Sequence, residues 1–271
     1  MAAASFEAFQ RGQVNAFTSG AGIGTLAGLI GLGGAEFRLP FLIKMFRFGA
    51  LEAVIINKAM GLVVVASALP FRTGTTSAGA IADHWPAVVN LLAGSLLGAW
   101  FGASWATRLK SEALYRVIAV LLVGMAAILM IGHGSNDGGH ALLSGDLQLA
   151  AGLVAGFMIG VVAALLGVAG GELLIPTLIP LYGVDVKLAG SLSLAISLPT
   201  MLVGFARYSL DSTFAVLLRN GRFVAAMAAG SVLGSFIGAK LLAIVPSAVL
   251  LPALAGILLV SAVKLWPHRR I

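Results

Sequence analysis

The sequence predicts an all-α, polytopic membrane protein made of two inverted-topology repeats, with about eight to ten transmembrane segments including glycine-broken hairpins. Three observations predict this. Of 271 residues, 59% are hydrophobic and only 10% charged, with a mean hydropathy of +1.03; a water-soluble domain carries about 25% charged residues. A soluble surface could not be clothed so sparsely, whereas lipid accepts apolar side chains. Apolar runs of bilayer length recur along the chain. The chain also repeats itself at an offset of 136 residues.

The segments come in order. Val14 to Leu32 is apolar and glycine-dense. After a GLGG break, Phe37 to Phe46 is a short run around Arg38 and Lys44. Leu51 to Leu69 is a long span interrupted by Asn57 and Lys58, and a polar linker follows. Pro86 to Leu109 and Leu114 to Ile131 match the length a bilayer requires. A polar stretch then separates residues 1–132, the first repeat, from residues 147–271, the second; 133–146 is read as an extracytoplasmic connector. The pattern restarts with Leu147 to Leu166, a short run from Leu173 to Leu181 after GVAGG, then Leu188 to Ala206, Phe223 to Ile244 and Ala248 to Leu265.

Two blocks carry the repeat in one ungapped register. GLGGAEFRLP (31–40) lies over GVAGGELLIP (167–176), and AGSLLGAWFGA (93–103) over AGSVLGSFIGA (229–239). Shared positions include Gly20/Gly156, Gly24/Gly160, Glu36/Glu172, Pro40/Pro176, Gly94/Gly230, Ser95/Ser231, Gly98/Gly234 and Gly102/Gly238. The four-residue glycine ladders predict close helix packing.

Loop charge sets the orientation. Arg108, Lys110 and Arg116 crowd the connector 104–116, and 132–146 holds no Lys or Arg. In the second repeat the basic connector is 206–222, with Arg207, Arg219 and Arg222, and the tail adds Lys264, Arg269 and Arg270. Equivalent loops therefore fall on opposite sides. Both termini are expected in the cytoplasm, and the short N-terminal stretch reads as a cytosolic tail rather than a cleaved signal.

Each glycine break frees main-chain N–H groups at the start of a helix, and hydrocarbon offers them no partner. Those groups and the helix dipole favour negative charge, so a small anionic solute is the natural ligand. The candidate substrate-binding residues are Gly33, Gly34, Glu36, Arg38, Asn57 and Lys58 in the first repeat, with Gly170, Gly171, Glu172, Ser191 and Ser193 in the second. Glu36 and Glu172 have three open roles: capping their own helices, coupling H+ to transport, or pairing with Arg38 or Lys58. Asn57 matches Ser193, and Arg38 faces Leu174, so any basic contribution is one-sided. Asn57 and the serines serve equally as donors to an anion or as bonds between helices. Lys58 serves as a ligand or snorkels towards the cytosolic side.

Other classes are excluded. The chain has no cysteine, hence no disulfide or thiolate metal site. His84, His133, His140 and His268 show no metal-ligand spacing, so no metal or other cofactor is expected. No catalytic set appears, and none of the nucleophile, phosphate-loop or metalloprotease motifs is present, so the chain is not expected to be an enzyme. The net charge of +7 is dispersed rather than gathered into a nucleic-acid-binding stripe. The partners are the anion and the lipid bilayer, with a homodimer left open.

The residues that carry the repeat also carry a resemblance. GLGGAEFRLP, its echo GVAGGELLIP and the two small-residue helices together make the chain similar to the sulfite exporter TauE/SafE family, also described as the TSUP family of membrane transporters. The resemblance implies a multi-pass protein of the bacterial inner (plasma) membrane carrying sulfite, thiosulfate, sulfonates or other small organic anions by alternating access. It maps onto Gly31, Gly33, Gly34 and Pro40, and onto Gly167, Gly170, Gly171 and Pro176. Ala35 stands where the family has a further glycine, and Glu36 and Glu172 where it commonly has apolar residues. An anion channel, or a membrane receptor or assembly protein without flux, stands as the alternative.

Overall fold

The computed structural model describes residues 13–26, 35–72, 83–131 and 141–241, with five positions between 256 and 263. Within them the fold is helical. Helix α1 covers 13–26, α2 Ala35–Lys44, α3 Ala50–Arg72, α4 Trp85–Arg108 and α5 Ser111–Ile131. Helix α6 covers Gly145–Leu166, α7 Gly171–Tyr182 and α8 Val186–Tyr208. A 3-10 turn (Ser212–Ala215), the short α9 (Val216–Arg219) and α10 (Gly221–Leu241) complete the set.

Five of the described helices are long and apolar enough to cross a membrane: α3, α4, α6, α8 and α10. Their ends fall within a few residues of the apolar runs. The stretch read as a basic connector is shorter and more structured than expected. Helix α8 runs on to Tyr208, and Asp211 then caps the 3-10 turn by accepting the Thr213 N–H at 2.8 Å. The capping carboxylate satisfies a donor the turn would otherwise leave bare.

The bundle is held by close crossings. A Cβ on Gly94, Gly98 or Gly102 of α4 would meet the backbone of Leu153, Phe157 or Val161 of α6. From the other side, Gly156 and Gly160 of α6 press on Leu91 and Ser95 of α4. Helices α1 and α10 cross in the same way: Gly20 and Gly24 against Met227 and Ser231, Gly230 and Gly234 against Phe17 and Ala21. Glycine is required because the backbones approach within the space of one methyl group. Four contacts of one crossing, at Gly94, Gly98, Gly156 and Gly160, have their counterparts 136 residues away in the other.

Inside this frame lies α3, buried through Ala53, Val54, Ile55, Ile56, Met60, Val64 and Val65, with Val63 exposed. Eight of the ten residues of α2 are buried beside it. Large apolar residues such as Leu97, Trp100, Phe101, Val154 and Met158 are exposed on the outside, as a lipid-facing surface requires.

Candidate functional site

The two short helices, α2 and α7, deliver the charged residues. Helix α6 ends at Gly167 with φ 68°, closing with Val168 N–H to Ala163 O (3.0 Å) and Gly167 N–H to Ala164 O (3.1 Å). This paired closure needs the left-handed backbone that glycine supplies. Space demands glycine there as well, because a Cβ would meet Val54 O of α3 at 2.5 Å. Gly170, at φ 84°, turns the chain back into α7. Gly171 is the first residue of that helix and Glu172 the second. The counterpart glycines Gly33 and Gly34 lie outside the described residues.

Both glutamates are buried, Glu36 at 1% exposure and Glu172 at 5%. The two carboxyls come close enough to act on each other, and each lies beside its own main-chain N–H. Pro40 and Pro176 lie four residues beyond Glu36 and Glu172 inside their helices. Proline has no N–H, so the main-chain carbonyl of each glutamate lacks its usual helical donor.

Arg38 follows on α2, fully buried. Its charge acts on Glu36. Its Nη1 donates to Asn57 Oδ1 at 3.4 Å. Asn57 is itself fixed, its Nδ2 donating to Ala35 O (2.8 Å) and Leu166 O (2.9 Å). Asn57 thus ties α3 to the start of α2 and the end of α6 while holding one corner of the guanidinium. Arg38 Nε and Nη2 find no hydrogen-bond partner among the described residues, nor do Glu36 Oε2 and Glu172 Oε2. Nε and Nη2 are the two parallel donors that grip an oxyanion. A buried guanidinium left half-paired is costly, and the group has a strong demand for an acceptor.

The structure thus brings Glu36, Arg38, Asn57 and Glu172 together. Lys58, one residue further along α3, is completely buried instead of snorkelling, and its Nζ donates to Ala163 O at 3.0 Å. Ser193 is buried and bonds to Gly190 O of its own helix at 2.9 Å. Ser191 is half-buried and has a partner of its own.

Several polar residues outside the expected set line α8 and α4. Thr200 and Ser95 bond to each other at 2.7 Å, and Arg207 donates to Ser104 Oγ at 2.7 Å while lying over the Trp100 ring. Asn90 donates to Tyr182 OH at 2.8 Å, fastening the far end of α7 to α4. Tyr208 OH donates to Ala164 O at 2.9 Å. A lone polar residue inside an apolar span was the available signal for Asn90 and Thr200. Nothing in the local pattern marked Tyr208.

A family model described as sulfite exporter TauE/SafE matches residues 16–265. No curated protein and no solved structure matches the chain.

Proposed function

The chain belongs to the sulfite exporter TauE/SafE family, a family of membrane transporters, and from that premise we propose that it is a secondary transporter of a small oxyanion such as sulfite, thiosulfate or a sulfonate, working by alternating access. The observation that carries this reading is the Nε–Nη2 edge of Arg38, which has no hydrogen-bond partner among the described residues. Two buried parallel donors, fixed by Asn57 at the opposite corner, match a tetrahedral or pyramidal oxyanion in charge and spacing. On this reading the anion bridges Arg38 and the start of α7, with Gly170 and Gly171 bringing main-chain donors close.

The Glu36–Glu172 pair is the proton-coupling element of this proposal. An anion arriving beside two carboxyls is repelled unless they are protonated, so binding the anion and holding protons favour one another. The two repeats are inverted in the membrane, each contributing about five segments. Two matched glycine crossings at an offset of 136 support that reading. Opposed loop charges support a reading with both termini in the cytoplasm of a bacterial inner membrane.

The test is uptake of labelled sulfite, thiosulfate and a small sulfonate into proteoliposomes, with and without a pH gradient. Saturable uptake with counterflow is expected for at least one of them. It should be lost in Arg38→Ala and uncoupled from the gradient in the double variant Glu36→Gln, Glu172→Gln. Conductive, non-saturating flux would make the protein a channel. Oxyanion binding without flux would make it a receptor. Equal gradient-driven uptake by wild type and the double variant would remove the carboxyl pair from coupling.

A further inference from the structure

Three side chains from two helices converge on the last turn of α6. Lys58 Nζ reaches Ala163 O at 3.0 Å, Tyr208 OH reaches Ala164 O at 2.9 Å and Asn57 Nδ2 reaches Leu166 O at 2.9 Å. Helix α6 has no basic residue of its own in that turn. The Ala163 carbonyl already accepts the Val168 N–H at 3.0 Å, and the Ala164 carbonyl the Gly167 N–H at 3.1 Å. Lys58 is therefore not needed to satisfy an orphan acceptor.

What the amine adds when protonated is charge. A helix of 22 residues ends here inside the protein, and its dipole places partial negative charge on those carbonyls. Buried carbonyl oxygens at a helix end are the ligand set that membrane proteins offer to a small monovalent cation. Helix α8 leaves room for the ammonium, since a Cβ on Gly204 would meet Lys58 Cε at 3.0 Å and Nζ at 3.2 Å. The lysine is not duplicated, because Leu194 stands at the equivalent position in the second repeat.

We infer that the C-terminal end of α6 is a monovalent-cation site whose cation is built into the chain as the Lys58 ammonium. The fixed charge stands where a transporter coupled to an inorganic cation would bind its ion. The protein consequently needs no Na+ or K+ at this position. Removing the side chain converts a permanent occupant into an exchangeable one.

The experiment is thermal unfolding of the purified full-length protein in choline, sodium, potassium and methylammonium chlorides at equal ionic strength. The readout is stability, so the result is independent of which solute is carried. Wild type should unfold at the same temperature in all four salts. Lys58→Ala should unfold lower in choline and recover by about 3 °C or more in roughly 0.3 M methylammonium or sodium, saturably. Lys58→Met, which fills the volume without charge, should not recover in any salt. If Lys58→Ala yields folded protein only when one of the small cations is present during extraction, the site stands. Failure under every cation, an equal melting temperature of Lys58→Ala in all salts, or a wild type that itself needs Na+ would overturn it.

Discussion

Gly98 of α4 rests on Phe157 of α6, and Gly234 of α10 rests on Ala21 of α1, so one crossing is built twice from residues 136 apart. At the polar centre the duplication fails. Glu36 is matched by Glu172, but Arg38 is matched by Leu174, Asn57 by Ser193 and Lys58 by Leu194. A helix crossing is a steric condition that both repeats must meet separately. On the proposed reading, binding one anion is a condition on total charge that a single guanidinium meets. A second buried arginine opposite the first would add its own desolvation cost and repel the first. Packing is thus held in common and chemistry is divided.

The largest test of that contrast is steric. Gly98→Leu and Gly234→Leu should both abolish folded protein, each costing about 4 kcal/mol or more because backbone, not a mobile side chain, occupies the space. Gly124→Leu on α5, where nothing lies within 4 Å of a Cβ, should fold normally. Yield and monodispersity on size exclusion, with melting temperature, decide it. If Gly234→Leu were tolerated while Gly98→Leu was not, the two crossings would not be equivalent.

The next test is chemical and should be one-sided. Arg38→Lys keeps the charge but loses the paired donors, so oxyanion affinity should fall about 100-fold, the ~3 kcal/mol expected for breaking a buried charged contact. Leu174→Met at the matching position should leave affinity within about twofold, being a volume-conserving change. Ligand-induced thermal shift reads both. Comparable losses at the two positions would argue against a one-sided site.

The smallest effect separates the neutral pair. Asn57→Ala frees Ala35 O, Leu166 O and one corner of Arg38, so it should destabilise the protein by about 1–3 kcal/mol and weaken anion binding. Ser193→Ala loses only a bond within its own helix and should stay within about 0.5 kcal/mol with binding intact. A Ser193→Ala variant with the Asn57→Ala phenotype would restore symmetry to the centre.

Periodicity and spacing made part of this legible. The apolar runs located α3, α4, α6, α8 and α10 to within a few residues, because a span of lipid length is a property of consecutive residues. The four-residue glycine spacing announced the crossings for the same reason, since one helical face is readable from sequence. The meeting of Glu36 with Glu172 was not among the roles the sequence left open, which were capping, coupling H+ or pairing with Arg38 or Lys58. The bond from Lys58 to Ala163 was not legible, nor was Tyr208 to Ala164, because their partners lie 105 and 44 residues away.

The sequence by itself determined that this chain lives in a bilayer, where its helices run, which family it joins, and that charge is scarce, doubled at two glutamates and single at Arg38 and Lys58. Only the tertiary structure decided what those charges meet. It brought the two carboxyls close to each other, left the Nε–Nη2 edge of Arg38 without a partner among the described residues, and turned Lys58 onto the end of α6. The physical reason is that hydrophobic burial is set residue by residue, whereas a buried charge is settled only by the distant groups that packing brings within about 3 Å.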